Sequence, residues 1–163
     1  MTDQALPTVL FVCVGNAGKS VMAQALMRRS AGARVNALSA GTRAKTGVNP
    51  LSAAVINEIG VDITGHQPTQ LTDSLIRSAD LVVVLGTEAR LDPGVTIPVE
   101  TWETDEPSHR GIDGIERMRL IRDDIANRVQ ALIAKLVPKD TGPSPEQVAP
   151  PTRSPLQAGQ PPI

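Results

Sequence analysis

Tyrosine is missing altogether, Phe11 and Trp102 are the whole aromatic complement, and Cys13 is the only cysteine among 163 residues. A core built from this chain must rest on Val, Ile, Leu, Ala and Met. With so few aromatic rings there is no platform for stacking bases, and a formal net charge of -1 without a basic block argues against nucleic acid as a partner. One cysteine rules out an intrachain disulfide and any zinc site built from several thiolates. No apolar run approaches the roughly 20 residues that span a bilayer, so no membrane partner is expected. The segment Met1–Pro7 lacks the basic and apolar regions of a secretory signal. A soluble cytoplasmic protein is the resulting expectation.

What is present has two textures. From Pro138 to Ile163 the chain holds eight of its fourteen prolines among Gly, Ser, Gln and Thr, without apolar periodicity. Such a segment buries too little surface to offset its ordering entropy, which predicts a disordered Pro-rich tail over 138–163 behind one folded domain over 1–137. Within the domain, strand and helix patterns alternate. Thr8–Val14 is a continuous apolar, β-branched run, as in a strand buried on both faces. A helix follows from Lys19 to about Ser30, then a short strand over Val35–Ser39. Pro50 opens a helix with Leu51, Val55, Ile56 and Ile59 inward and Gly60 closing it. A short helix over Thr72–Ser78, a strand over Asp80–Leu85 and a strand over Thr96–Val99 come next. Apolar residues from Ile115 to Leu136 recur every three or four positions, marking a long last helix. The alternation predicts an α/β fold: a four-stranded parallel sheet flanked by helices on both faces, with ligands bound beyond the carboxyl ends of the strands. Cys13, Gly41, Gly86 and the Trp102–Pro107 loop all fall at those ends.

The segment Cys13-Val14-Gly15-Asn16-Ala17-Gly18-Lys19-Ser20 leads from the first strand into the first helix. Its glycines let successive N–H groups turn inward as an anion-binding concavity, and the helix adds the positive end of its dipole. A cysteine in that setting favours the thiolate, which Ser20 can support by a hydrogen bond and Lys19 by its charge. Gly18-Lys19-Ser20 also matches the end of a nucleotide-binding P-loop, G-x-x-x-x-G-K-[ST]. Cys13 stands where that motif needs its first glycine, however, and Val82–Gly86 offers no carboxylate for magnesium.

Cys13-x-x-Asn16-x-x-x-Ser20 after a buried strand resembles the active-site loop of low-molecular-weight tyrosine phosphatases and of the arsenate reductases that share their fold. Ser39–Thr42, Gly60–His66, Asp80–Leu85, Trp102–Pro107 and Arg122–Ile125 extend the resemblance, in order, over about residues 8 to 136. The resemblance implies a flavodoxin-like three-layer sandwich. Two departures bear on the subfamily. The phosphatases carry arginine at position 19, whose planar fork grips a phosphoryl group bidentately, whereas Lys19 is a point charge. Thioredoxin-coupled arsenate reductases carry two further cysteines after the third strand, where this chain has Gly86–Arg90. A solitary cysteine with Gly18-Lys19 is most similar to the arsenate–mycothiol transferases of actinobacteria.

That similarity implies arsenate as substrate, no bound cofactor or metal, mycothiol as thiol co-substrate and a mycoredoxin-type redoxin downstream. Cys13 would attack arsenic while Lys19 and the amides from Val14 to Ser20 hold the oxygens. Departure of an oxide needs a proton, and the family position for its donor, an acid immediately before proline, is Glu106, with Asp105 as the alternative. Asn16 is expected to brace the loop and His66 to make a structural hydrogen bond. His109 reads as solvated. Arg117, Arg119 and Arg122 on the last helix either meet an anionic thiol or form a solvated face. Trp102 either caps the site or anchors its strand. The alternatives are a phosphomonoester phosphatase and a non-catalytic oxyanion-binding or redox-sensing domain.

Overall fold

A computed structural model describes residues 6–137. The tail expected over 138–163 lies outside the described residues. The elements run β1 (Thr8–Cys13), α1 (Lys19–Ala31), a 3₁₀ turn (Gly32–Arg34), β2 (Asn36–Gly41), α2 (Pro50–Asn57), α3 (Asp73–Arg77), β3 (Leu81–Leu85), β4 (Val99–Trp102), a second 3₁₀ turn (Pro107–Arg110) and α4 (Gly114–Leu136). All strand pairings are parallel, in the order β2-β1-β3-β4, with Cys13 beside Gly41 and Val12 beside Val84. The strand that carries Cys13 is therefore interior, and its residues Val9–Val12 are wholly buried.

Alternation along β1 divides the core. Val9 and Phe11 face α1, α2 and α4, meeting Met22, Met27, Ile56, Ile121 and Ile125. Leu10 and Val12 face α3 and its flanking loops, with Ile76, Ala79 and Ala89. The scarce aromatics are spent together: Phe11 and Trp102 have ring centroids 5.8 Å apart under the larger helical layer. Trp102 is 6% exposed, so it anchors β4 and does not cap the site. Phe11→Ala at this centre should cost about 3–5 kcal/mol.

Helix ends follow their side chains. Asn49 caps α2 by accepting from the amides of Leu51 and Ser52, with Pro50 at the first helical position. Thr72 caps α3 through the Leu75 amide. Two expectations are corrected. Leu51 is 39% exposed and not inward, because the inward stripe of α2 starts one residue later, at Ser52, and runs through Val55 and Ile56. The fourth strand lies three residues later than predicted, at Val99–Trp102. Pro98 gives β3 only its carbonyl, to the Val82 amide, and the ladder proper begins after it.

Candidate active site

The backbone of the Cys13–Ser20 loop is held from outside by its own carbonyls. Cys13, Val14, Gly15 and Ala17 accept from the amides of Thr42, Arg43, Lys45 and Asn49 at 3.0, 2.7, 2.9 and 2.8 Å. With the carbonyls turned toward this outer strap, the loop amides are left for the concave side. Gly41 makes the close approach possible: a Cβ there would lie 2.6 Å from the Val14 carbonyl and 2.8 Å from the Asn16 amide. Gly18 caps α1 without a side chain, and no acidic residue sits in the first turn, so the helix presents its unpaired amides and dipole to an anion.

Asn16 bends the loop with φ +51°, a left-handed conformation that asparagine tolerates better than most residues. Its wholly buried side chain ties three segments together. Nδ2 donates to Ser20 Oγ at 2.9 Å, and Oδ1 accepts from the Thr69 amide at 2.8 Å and from His66 Nε2 at 3.0 Å. Because Oδ1 can only accept, His66 carries its proton on Nε2. Burial, with the Arg28 charge a smaller cause, pushes His66 below its ordinary value and keeps it neutral at pH 7. Ser20 Oγ already accepts from Asn16, so its own hydrogen is free to point at Cys13 Sγ, 3.0 Å away. Cys13 thus sits at the end of a chain of oriented dipoles that runs from His66 through Asn16 and Ser20.

Cys13, Val14, Gly15 and Lys19 form the floor of a cleft of about 840 Å³. Its walls are the ends of β3 and β4, from Leu85 to Ala89 and from Glu103 to Glu106, together with His109, Arg110 and Arg117. Lys19 extends across the floor toward Gly86, where a Cβ would meet its Nζ at 3.9 Å. Among the described residues it has no salt-bridge partner. No cluster of His, Cys, Asp or Glu among the described residues is arranged to hold a metal ion.

The acidic loop departs from expectation. Glu106 does line the cleft, but Arg117 grips it bidentately at 2.7 and 2.9 Å and Ser108 Oγ donates to it at 2.8 Å. The Arg117 guanidinium, with Ser108, holds its carboxyl down at about 2. Asp105 is likewise gripped by Arg110 at 2.8 and 3.1 Å and held below the usual carboxylate range. In this arrangement both carboxyls are ion-paired, so either would have to release its arginine before donating the proton that the family position implied. The reason is local: the 3₁₀ turn after Pro107 and the start of α4 bring two arginines against adjacent carboxylates.

Of the three helix arginines only Arg117 reaches the cleft. Arg119 and Arg122 bind Glu58, at 2.7 and 2.8 Å, and fasten α4 to α2. Two cleft residues were not legible as such. His109 read as solvated and Arg110 carried no signal, and only the 3₁₀ turn brings them to the rim. Thr104 contributes to the same wall, and its buried Oγ1 has no hydrogen-bond partner among the described residues.

A parallel sheet with a cysteine-led anion loop at the end of its inner strand defines the class. The family model described as low molecular weight phosphotyrosine protein phosphatase matches residues 8–92, and the chain belongs to that family. It is 31% identical over 126 residues to arsenate reductase 2 of Staphylococcus saprophyticus, covering 76% of this chain and 93% of that one. It is 42% identical over 83 residues to a probable low molecular weight protein-tyrosine-phosphatase, EpsP, of Ralstonia solanacearum, covering 50% of this chain and 57% of that one. Among solved structures, a thioredoxin-dependent arsenate reductase of Corynebacterium glutamicum superimposes with a TM-score of 0.65 at 33% identity, covering 83% of this chain. The chain spans 64% of that structure's length.

Proposed function

We propose that this protein takes part in arsenate detoxification by moving arsenic from Cys13 to an external low-molecular-weight thiol, mycothiol in our reading. The observation that carries this is the cysteine count. Cys13 is the chain's only sulfhydryl, so no internal thiol exists to displace an adduct formed on it. The relationship to arsenate reductases supports the first half of the reaction, and the solitary cysteine the second.

Arsenate, a tetrahedral oxyanion, is held by Lys19 and by the amides from Val14 to Ser20. The Cys13 thiolate attacks arsenic, the S–As bond forms, and one As–O bond breaks. With one proton the departing oxygen leaves as water. An external thiolate then attacks arsenic, its own S–As bond forms, and Cys13 leaves as thiolate. Arsenic stays pentavalent through both displacements, so this chain consumes no reductant. Dividing the exchange into two steps is the usual advantage of a covalent nucleophile. Reduction to arsenite falls to a separate mycoredoxin-type redoxin in the cytoplasm. Glu106 and Asp105 serve as carboxylates that hold Arg117 and Arg110 in the cleft wall, and the proton comes from water or the bound oxyanion.

The test is to supply arsenate with mycothiol alone, with mycothiol and a mycoredoxin, or with thioredoxin and its reductase. The first should yield an arsenic–mycothiol conjugate, and the second arsenite. Efficient turnover with thioredoxin and no small thiol would overturn the reading. The similarity to the Ralstonia phosphatase supports a second reading, phosphomonoester hydrolysis. Hydrolysis of an aryl phosphate faster than arsenate turnover would establish that one instead.

A further inference from the structure

A separate cavity of about 480 Å³ shares no residue with the cleft. One side of α1 and the segment from Val61 to His66 frame it, with Val21, Ala25, Val61 and Ile63 as its apolar walls. Two polar side chains inside it are left with unused hydrogen-bonding capacity. Gln24 is only 7% exposed; its Oε1 accepts from Ser39 Oγ, but its Nε2 has no partner among the described residues. A buried amide N–H without a partner is costly, and one that borders a cavity points to a ligand there. His66 spends Nε2–H on Asn16 Oδ1, so its neutral ring keeps Nδ1 as an acceptor, also without a partner among the described residues. Gln24 follows Ser20 by one helical turn, and Ser20 and His66 both hold Asn16, so the free donor and the free acceptor belong to neighbouring side chains.

The charged groups at this cavity are Arg28, Arg29 and Asp62, all of them exposed. Arg28 donates from Nε and Nη2 to the Ala37 carbonyl, at 3.2 and 2.8 Å. Asp62 Oδ1 accepts from the Thr64 amide and hydroxyl, at 2.8 and 2.6 Å. Solvent screens charges placed in this way, whereas the buried polar pair inside the cavity is uncharged.

We infer that this cavity binds a small neutral carboxamide or lactam with an apolar body, and that its occupant is coupled to Cys13. The ligand carbonyl accepts from Gln24 Nε2, its N–H donates to His66 Nδ1, and its body lies against Val21, Ala25, Val61 and Ile63. A carboxylate has no proton for Nδ1, and an inorganic ion leaves the apolar walls uncovered. The volume lies within the range of small-molecule sites. The coupling follows from the hydrogen bonds. A donor at Nδ1 makes Nε2–H of His66 the stronger donor to Asn16, and Asn16 and Ser20 pass the polarisation on to Cys13 Sγ. This inference holds whichever oxyanion or thiol the cleft takes.

The probe is benzamide, titrated into the full nitrogen-labelled chain and followed by NMR at the Gln24 side-chain amide and the His66 imidazole. Both signals should move together and saturate, with half-occupancy at about 1 mM, as befits a fragment-sized ligand. N,N-dimethylbenzamide, which has no N–H, and benzoate, which is charged and has no donor, should each bind about tenfold more weakly or worse. Two variants test the site by independent means. Gln24→Glu keeps the acceptor for Ser39 and removes the donor, while Gly65→Leu fills the cavity from a position where a Cβ meets nothing within 4 Å. Each should weaken benzamide by about tenfold or more, and Gly65→Leu decides alone if Gln24→Glu melts below the parent. Saturating benzamide should speed alkylation of Cys13 by iodoacetamide at pH 7 about twofold in the parent and leave both variants unmoved. No saturation up to tens of millimolar, or undiminished binding in the variants, would overturn the site. Benzoate binding as tightly as benzamide would also overturn it, assigning the cavity to an anion on Arg28 and Arg29. Saturation with the Cys13 rate unchanged would overturn the coupling.

Discussion

Arg117 lies across Glu106 with Nε and Nη2 2.7 and 2.9 Å from the two carboxylate oxygens. This fork fixes Glu106 as an anion and Arg117 as part of the cleft wall. General acid catalysis contributes about 10² to 10⁴ in rate. Glu106→Gln should therefore slow formation of the Cys13–arsenic adduct by less than about tenfold, with Arg117→Ala costing as much. Single-turnover mass spectrometry reads both. A loss of 10² or more in Glu106→Gln, at unchanged arsenate affinity, would return the acid role to Glu106, and the same loss in Asp105→Asn would give it to its neighbour.

The same pair has a consequence for stability. Glu106, through Arg117, and Glu58, through Arg119 and Arg122, are each lowered from 4.5 to about 2. A carboxyl whose folded value is depressed contributes stability above its unfolded value and loses it as pH falls toward the folded one. The melting temperature should be flat above about pH 5 and fall between 4.5 and 2. In the double variant Glu58→Gln, Glu106→Gln the fall should be shallower. An acid limb of the same depth in that variant would place the acid sensitivity elsewhere.

Among the described residues, Ser20 is the one side chain positioned to donate to Cys13. Hydrogen bonds to charged groups contribute roughly 1.5–3 kcal/mol. Ser20→Ala should thus slow alkylation of Cys13 by iodoacetamide at pH 7 by about tenfold or more, while bound arsenate still protects the thiol. Unchanged alkylation would mean that the Ser20 hydroxyl does not activate Cys13.

The anion loop was legible in the sequence because its chemistry is local. Cys13, the glycines, Lys19 and Ser20 are contiguous, and an apolar β-branched run before them fixes where the strand ends. The buried helix faces were legible for the same reason, since periodicity is a property of neighbours in the chain. Arg117 on Glu106 was not, because eleven residues, a 3₁₀ turn and a left-handed Gly111 separate the partners, and no pattern encodes that reversal. Nor was the start of β4: Pro98 reads as a strand residue by its neighbours, and only pairing with β3 decides that the ladder begins at Val99. The outer strap from Thr42 to Asn49 carries no regular structure, yet it orients the Cys13–Ser20 loop.

That strap depends on Gly41. A methyl group at this position meets backbone, at 2.6 Å from Val14 O and 2.8 Å from Asn16 N, and backbone there cannot yield without moving the loop. Gly41→Ala should cost about 1–3 kcal/mol, as overpacking does, and abolish arsenate protection of Cys13. Gly47→Ala, where a Cβ meets nothing within 4 Å, is the control on the same strap and should do neither. Equal behaviour of the two variants, measured by urea denaturation, would show that the close approach at Gly41 is not what holds the loop.

The last prediction concerns what position 19 selects. Lys19 aims one ammonium group across the floor toward Gly86, so in the proposed reaction the loop amides would have to hold the remaining oxygens of the anion. A guanidinium there would present two parallel donors to the equatorial oxygens of a phosphoryl group, the geometry that charge-assisted bidentate binding rewards. The facing wall has room for it, since Gly86 carries no side chain. Lys19→Arg should therefore raise hydrolysis of p-nitrophenyl phosphate by about tenfold. It should also lower the ratio of arsenate turnover to phosphate hydrolysis, because the forked donor favours the phosphoryl transition state while an external thiol still resolves the arsenic adduct. Both activities are measured on one preparation. Hydrolysis that stays flat or falls would move the barrier to the acidic loop, where Arg117 and Arg110 keep Glu106 and Asp105 from supplying a proton to the leaving phenolate. Combining Lys19→Arg with Arg117→Gln then decides between the two: restored hydrolysis in the pair alone assigns the block to the ion-paired carboxylate.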